Sequence, residues 1–245
     1  MARKDSPLKS EAAPLLRRFY KDASVAGEAA PFSIRLDGKP LRTPLKASLA
    51  LPTRALAEAV ADEWQNQGET IDPRSMPLTK LANTAVDRVE TQRHRVIDDV
   101  VRFAGSDLVC YRASEPEALR ERQSGAWDRV VAWASCALDV NLVMASGVIF
   151  RNQPAAALAA ARAHASAKSS WELAAIHNLT TLTGSAFLAL MVAADAITGE
   201  EAWKAAHVDE DWQNEQWGMD SEAQARRNAH RREFDAALKF LSLLA

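Results

Sequence analysis

The stretch FSIRLDGKPLRTP, residues 32–44, decides the class of this fold. Phe32, Ile34 and Leu36 alternate with Ser33 and Arg35, a period of two that puts the apolar side chains on one face of a strand. Asp37-Gly38 follows at once, and this pair tolerates the positive φ angles that a two-residue hairpin turn demands. A β-hairpin is expected, with a further extended piece at SLAL, residues 48–51, ending at Pro52. Thr53 is placed to cap a helix through TRALAEAVADEWQNQ, with Leu56, Val60 and Trp64 on one face and Gly68 as its stop. ETIDPRSMP, residues 69–77, is turn-rich because Pro73 and Pro77 bracket it.

Beyond Leu78 the pattern turns helical. LTKLANTAVDRV (78–89) stacks Leu78, Leu81, Ala82, Ala85 and Val89, and RHRVIDDVVRFAG (93–105) carries a second apolar face that ends at Gly105. SDLVCYRA (106–113) reads as a short extended link. Ser114 with Glu117, Ser169 with Glu172, Thr198 with Glu201 and Ser221 with Gln224 all have capping-box spacing. Pro154 suits the first turn of PAAALAAARAHASA, and DVNLVMASGVIF (139–150) interrupts the helices with β-branched residues. Thr183-Gly184-Ser185 lies in an apolar helical pattern, where small residues let helices approach. The expected fold is α+β: a small N-terminal α+β domain with a β-hairpin, residues 1–111, followed by an all-α helical domain, residues 112–245.

The 245 residues carry a formal charge of -2, with 48% hydrophobic and 25% charged side chains, so neither nucleic acid nor a membrane surface is suggested as a partner. The longest apolar run, AFLALMVAA (186–194), is too short to span a bilayer. The mildly basic start contains Asp5 and Glu11 and makes a poor transit peptide. Cys110 and Cys136 lack C-x-x-C spacing and are read as two buried thiols in a reducing compartment. Phosphate-binding glycine loops and the G-x-S-x-G elbow are missing from the sequence. Trp64, Trp127 and Trp133 sit at apolar helical positions and are expected in the core, and Arg226, Arg227, Arg231 and Arg232 on a solvated helix face.

One stretch stands out for function: HVDEDWQNEQWGMDSE, residues 207–222, has six carboxylates and two tryptophans, with no Lys or Arg between Lys204 and Arg226. Asp209 as an N-cap would place Glu210 and Asp211 in a first helical turn, where the macrodipole favours acids. That account does not cover Asp211 and Glu215, like charges four apart, nor Glu210, Gln213 and Trp217, which stripe one face with acid, amide and indole. Such a stripe suits a protein interface better than a core. A metal-dependent hydrolase built on His207, Glu210 and Asp211 is a rival reading, although the histidines form no H-E-x-x-H pair. An EF-hand fails on Asn214, Trp217 and Asp220 at its sixth, ninth and twelfth positions. A generic protein-binding adaptor is the other alternative.

Four stretches in order, LDGKPLRTP (36–44), ALAEAVADEWQNQGETIDPRSMPLTKLANTAVDR (55–88), SDLVCYRA (106–113) and DEDWQNEQWG (209–218), carry a resemblance. The chain is similar to the assembly chaperones of the ATP synthase F(1) sector, of the type that binds the alpha subunit, from about Phe19 onward. The resemblance implies an α+β domain followed by a helical one, no catalysis and no cofactor, metal or small-molecule substrate. It also implies a protein client, the unassembled alpha subunit, covered until the beta subunit displaces the chaperone. The family's E-x-x-Q-x-x-x-W-G pattern falls on Glu210, Gln213, Trp217 and Gly218. On this reading Trp217 anchors, Glu210 and Gln213 fix register, Asp211 and Glu215 pair with client cations, and Gly218 ends the helix. Lys39 and Arg42 are further possible contacts. The expected location is the bacterial cytoplasm, or the mitochondrial matrix if a presequence has been removed.

Overall fold

A computed structural model of the chain describes residues 15–147 and 149–245; most of the mildly basic start, residues 1–14, lies outside the described residues. The expected hairpin forms. Strand β2 (Phe32–Leu36) pairs antiparallel with β1 (Ala23–Ala26), β3 (Lys39–Pro40) and β4 (Ala50–Leu51), in the registers Ala23↔Leu36, Leu36↔Lys39 and Phe32↔Leu51. Asp37 and Gly38 both take positive φ, 47° and 79°, as a tight hairpin turn requires. Phe32, Ile34 and Leu36 are buried, so the period-two pattern gives the sheet its core face.

Helix α1 (Arg54–Gln65) is capped by Thr53, whose hydroxyl accepts from the Leu56 amide at 3.2 Å and donates to the Leu243 carbonyl at 2.5 Å. The helix ends at Gln65 with Asn66 as its C-cap, short of the expected Gly68. Gln67 is the reason: its side-chain amide donates to the Glu63 carbonyl at 2.9 Å and accepts from the Asp72 amide at 2.8 Å. Glu63 in turn caps α2 (Pro77–Thr84) through the amides of Leu78 and Thr79, at 2.8 and 2.7 Å. A π-turn, Ala85–Val89, continues α2, and α3 (Arg93–Gly105) follows.

The link SDLVCYRA is not simply extended. It contains a 3-10 turn, Leu108–Cys110, and then β5 (Tyr111–Arg112), which pairs parallel with β6 (Ala145–Ser146) from the interrupting stretch. Asp107 in this link is fully buried and accepts from the amides of Val109 and Phe187 at 3.2 and 3.1 Å. Burial pushes its carboxyl up to about 6, against the lowering effect of those bonds.

The remaining elements are α4 (Glu117–Leu138), α5 (Ala155–Ala167), α6 (Ser170–Thr183), α7 (Ala186–Ala193), α8 (Gly199–Ala206), α9 (Val208–Trp217) and α10 (Ser221–Ser242). The fold is α+β, a small sheet region followed by helices. The boxes Ser169–Glu172 and Thr198–Glu201 form in full. The other two do not: α4 opens after Pro116 without a side-chain cap, and Asp220 rather than Ser221 caps α10 through the Glu222 and Ala223 amides. Gly184 is not inside a helix; its φ of 69° ends α6, and Ser185 caps α7 through the Leu188 amide at 2.9 Å.

One apolar core takes in Ile34, Leu51 and Leu56 together with Trp127, Phe187, Phe234 and Phe240, so it draws on residues from both sides of position 111. Trp127 is fully buried, and its indole N–H donates to the Ala205 carbonyl at 2.6 Å. Trp64 and Trp133 are only partly buried against that core, and Cys136 is exposed while Cys110 is buried, which corrects the expected pair of buried thiols. Among the described residues no helix is long and apolar enough to cross a membrane.

Candidate functional site

Helix α9 holds Glu210, Asp211, Gln213, Glu215 and Trp217, with His207 and Gly218 as its caps, and none of its residues is fully buried. Its N-cap is His207, without a side-chain cap bond, so Asp209 is not the cap; Asp209, Glu210 and Asp211 all fall in the first turn. There they complement the helix dipole but repel one another. Cations from two neighbouring helices resolve the repulsion. Arg227 of α10 places Nη2 2.5 Å from the Asp211 carboxylate, and Nη1 3.3 Å from that of Glu210 without hydrogen-bond alignment. Arg122 of α4 meets Glu215 at 2.7 Å, and Gln123 donates to Asp209 at 2.7 Å. Arg122 also lies over the half-buried Trp212 ring, 4.9 Å from its centroid. Its hydrogen bond holds the Glu215 carboxyl below the usual range.

Asp211 and Glu215, expected to meet cations of a client, thus have cations within the chain: Asp211 shares Arg227 with Glu210, and Glu215 has Arg122. Arg227, placed by sequence on a solvated face, has a side chain only 15% exposed. Arg122 and Gln123 were not singled out, since nothing local marks a residue on one helix as the partner of another some 90 positions away. What remains outward on α9 is Gln213, Gln216 and Trp217. Trp217 is 78% exposed, the most of any large apolar side chain among the described residues. Gly218 ends the helix as expected, with φ 79° and ψ 170°, a conformation open essentially to glycine alone.

The hydrolase reading finds no geometry. The His207 ring packs against Trp203 at a tilt of 31°, with centroids 3.8 Å apart, and its Nδ1 donates to the Trp203 carbonyl at 2.8 Å. Nε2 is 3.8 Å from Glu210, whose carboxylate already faces Arg227. Burial lowers the His207 pKa against the pull of the Trp203 carbonyl; Arg227 adds to the lowering, and Glu210 and Asp211 oppose it. A neutral imidazole follows at neutral pH. Among the described residues no three His, Cys, Asp or Glu side chains are grouped to hold a metal.

A family described as "ATP12 chaperone protein" matches residues 17–135. The mitochondrial protein atp12 of Schizosaccharomyces pombe is 24% identical over 217 residues, covering 84% of this chain and 75% of that protein. Two crystal structures are similar over 94% of this chain. The Atu1473 protein of Agrobacterium tumefaciens is 47% identical with a TM-score of 0.88, over 86% of its own length. Atp12 of Paracoccus denitrificans is 38% identical with a TM-score of 0.87, over 99% of its length.

Proposed function

This chain belongs to the ATP12 chaperone family, a family of chaperones and not of enzymes, and we propose that it binds the unassembled alpha subunit of ATP synthase through α9 and prevents its aggregation. The observation that carries this reading is Trp217, exposed at the end of a helix whose acidic face is fixed from behind by Arg122 and Arg227. A large indole held outward on a pre-organised support is a typical anchor for a protein partner. Gln213 and Glu210 flank it at helical spacing and supply register, and Gly218 places the chain turn beside it.

Asp211 and Glu215, proposed to meet basic groups of the client, already have cations beside them within the chain. Their partners Arg227 and Arg122 hold α9 in place, and a client cation would have to compete with them. The interface required is of ordinary size, about 1,200–2,000 Å² in total. Release follows from competition: the beta subunit covers the same client surface, so nucleotide hydrolysis has no role. On this reading the protein works in the bacterial cytoplasm, or in the mitochondrial matrix if a presequence has been removed.

Co-purification tests it. The chain is mixed with isolated alpha and beta subunits, and alpha alone is expected to be retained and kept soluble. Retention of beta in preference to alpha, or of neither, refutes the client assignment. Trp217→Ala is expected to abolish retention of alpha, and undiminished retention by that variant refutes the α9 assignment.

A further inference from the structure

We propose that a groove built by the N-terminal half, from elements other than α9, is a second binding site that takes an extended peptide in which an apolar side chain stands beside a carboxylate. It has a volume of about 580 Å³, within the range of roughly 300–1,000 Å³ usual for ligand sites. Its apolar wall comes from Trp64, Ile71 and Met76, with Pro44 and Pro73 at the ends of the turns that enclose it. The motif LDGKPLRTP supplies one rim through Arg42, Thr43 and Pro44, a part of that motif for which the hairpin alone gives no reason.

The groove is pre-formed. Asp87 sits on the π-turn Ala85–Val89 and accepts from the Thr43 hydroxyl at 2.6 Å and the Leu45 amide at 3.1 Å, which bolts the 43–46 turn in place. The extra residue of a π-turn changes which side chains face a neighbour, and such turns recur at functional sites. Here Asp87 and Arg88 both line the groove.

Charge names the occupant. The rim carries the cations Arg42, Lys80 and Arg88, and its lining has one carboxylate, Asp87, with both oxygens engaged by the turn. Arg42 donates to the Lys46 carbonyl at 2.9 Å, Arg88 is 3.9 Å from Asp99, and Lys80 pairs with Glu233 at 2.9 Å. An apolar wall under a positive rim selects an apolar side chain next to an acid and disfavours a basic neighbour. Leu45, on the bolted turn, is 72% exposed and extends the apolar surface. This inference does not rest on the role given to α9.

An array of heptapeptides tests it, with Leu, Ile or Phe at each spacing from Asp or Glu, beside the same array with Lys in place of the acids. The full chain is expected to be retained on acidic spots and not on basic ones. Arg42→Glu combined with Arg88→Glu should weaken that retention at least about ten-fold by reversing the rim charge. Asn83→Trp, which fills the groove without changing its charge, should block it as well. Trp217→Ala is expected to leave it unchanged, so a failure of this site is distinct from a failure of the α9 reading. Equal retention on acidic and basic spots, or no loss in either groove variant, overturns the proposal. So does octanoate binding as tightly as the best peptide, which would assign the groove to small carboxylates.

Discussion

Arg227 on α10 places its guanidinium 2.5 Å from the Asp211 carboxylate on α9, and this pair closes the acidic first turn of α9 against the helix that follows it. Without Arg227, Asp209, Glu210 and Asp211 crowd three negative charges into one turn. Arg227→Gln is expected to destabilise the chain by about 1–2 kcal/mol, since its side chain is largely covered while its partners remain partly solvated. Urea unfolding at low and high salt checks this: the deficit should shrink with added salt, and an unchanged midpoint removes Arg227 from the support of α9.

Trp217→Ala should separate function from stability. The side chain is 78% exposed and makes no part of the core, so the unfolding free energy should change by no more than a surface substitution does, about 0.5 kcal/mol. Client affinity should fall by about 2 kcal/mol or more if the indole anchors the interface. Calorimetric titration with isolated alpha subunit reads the second quantity directly.

Gly218→Ala forces a side chain into a backbone conformation with φ 79° and ψ 170°. A Cβ there meets nothing within 4 Å, so the cost is backbone strain and not a clash, about 1–3 kcal/mol. Faster amide exchange over the last turn of α9, with the rest of the chain unaffected, is the expected signature.

His207 ties stability to mild acid. Burial holds its folded pKa below the ordinary histidine value of about 6.5, so the unfolded chain takes up a proton that the folded chain resists. Stability contributed this way is present above pH 6.5 and declines as pH falls from there toward the lowered folded value. His207→Phe should flatten that part of the profile in chemical unfolding measured at intervals of pH, and an identical slope in both proteins contradicts the assignment.

Asp107 acts with the opposite slope. Burial raises its folded pKa to about 6, above the ordinary carboxylate range, so the folded chain binds the proton more tightly. Its contribution falls as pH rises from about 4 to about 6, as the buried carboxyl ionises. Asp107→Asn should remove that slope. The same substitution should lower stability overall, because an amide cannot accept from both the Val109 and Phe187 amides as the carboxyl does.

On its own, the sequence determines whatever is fixed by neighbours in the chain. The Asp37-Gly38 turn, the Thr53 cap and the boxes Ser169–Glu172 and Thr198–Glu201 depend on bonds spanning four residues or fewer, and their signals are local. Where two local solutions compete, the sequence does not decide: Asp220 outranks Ser221 as a cap because its carboxylate accepts from two amides at once, and Gln67 stops α1 before Gly68. Tertiary structure alone decided what surrounds the acidic helix. Arg122 and Glu215 are 93 residues apart, and Asp107 reaches Phe187 across 80. A carboxylate at a given position looks the same in sequence whether its counter-charge is a partner protein or a distant arginine of its own chain. Only the packing of α4, α9 and α10 distinguishes the two, because Coulomb energy depends on separation in space and not on separation along the chain.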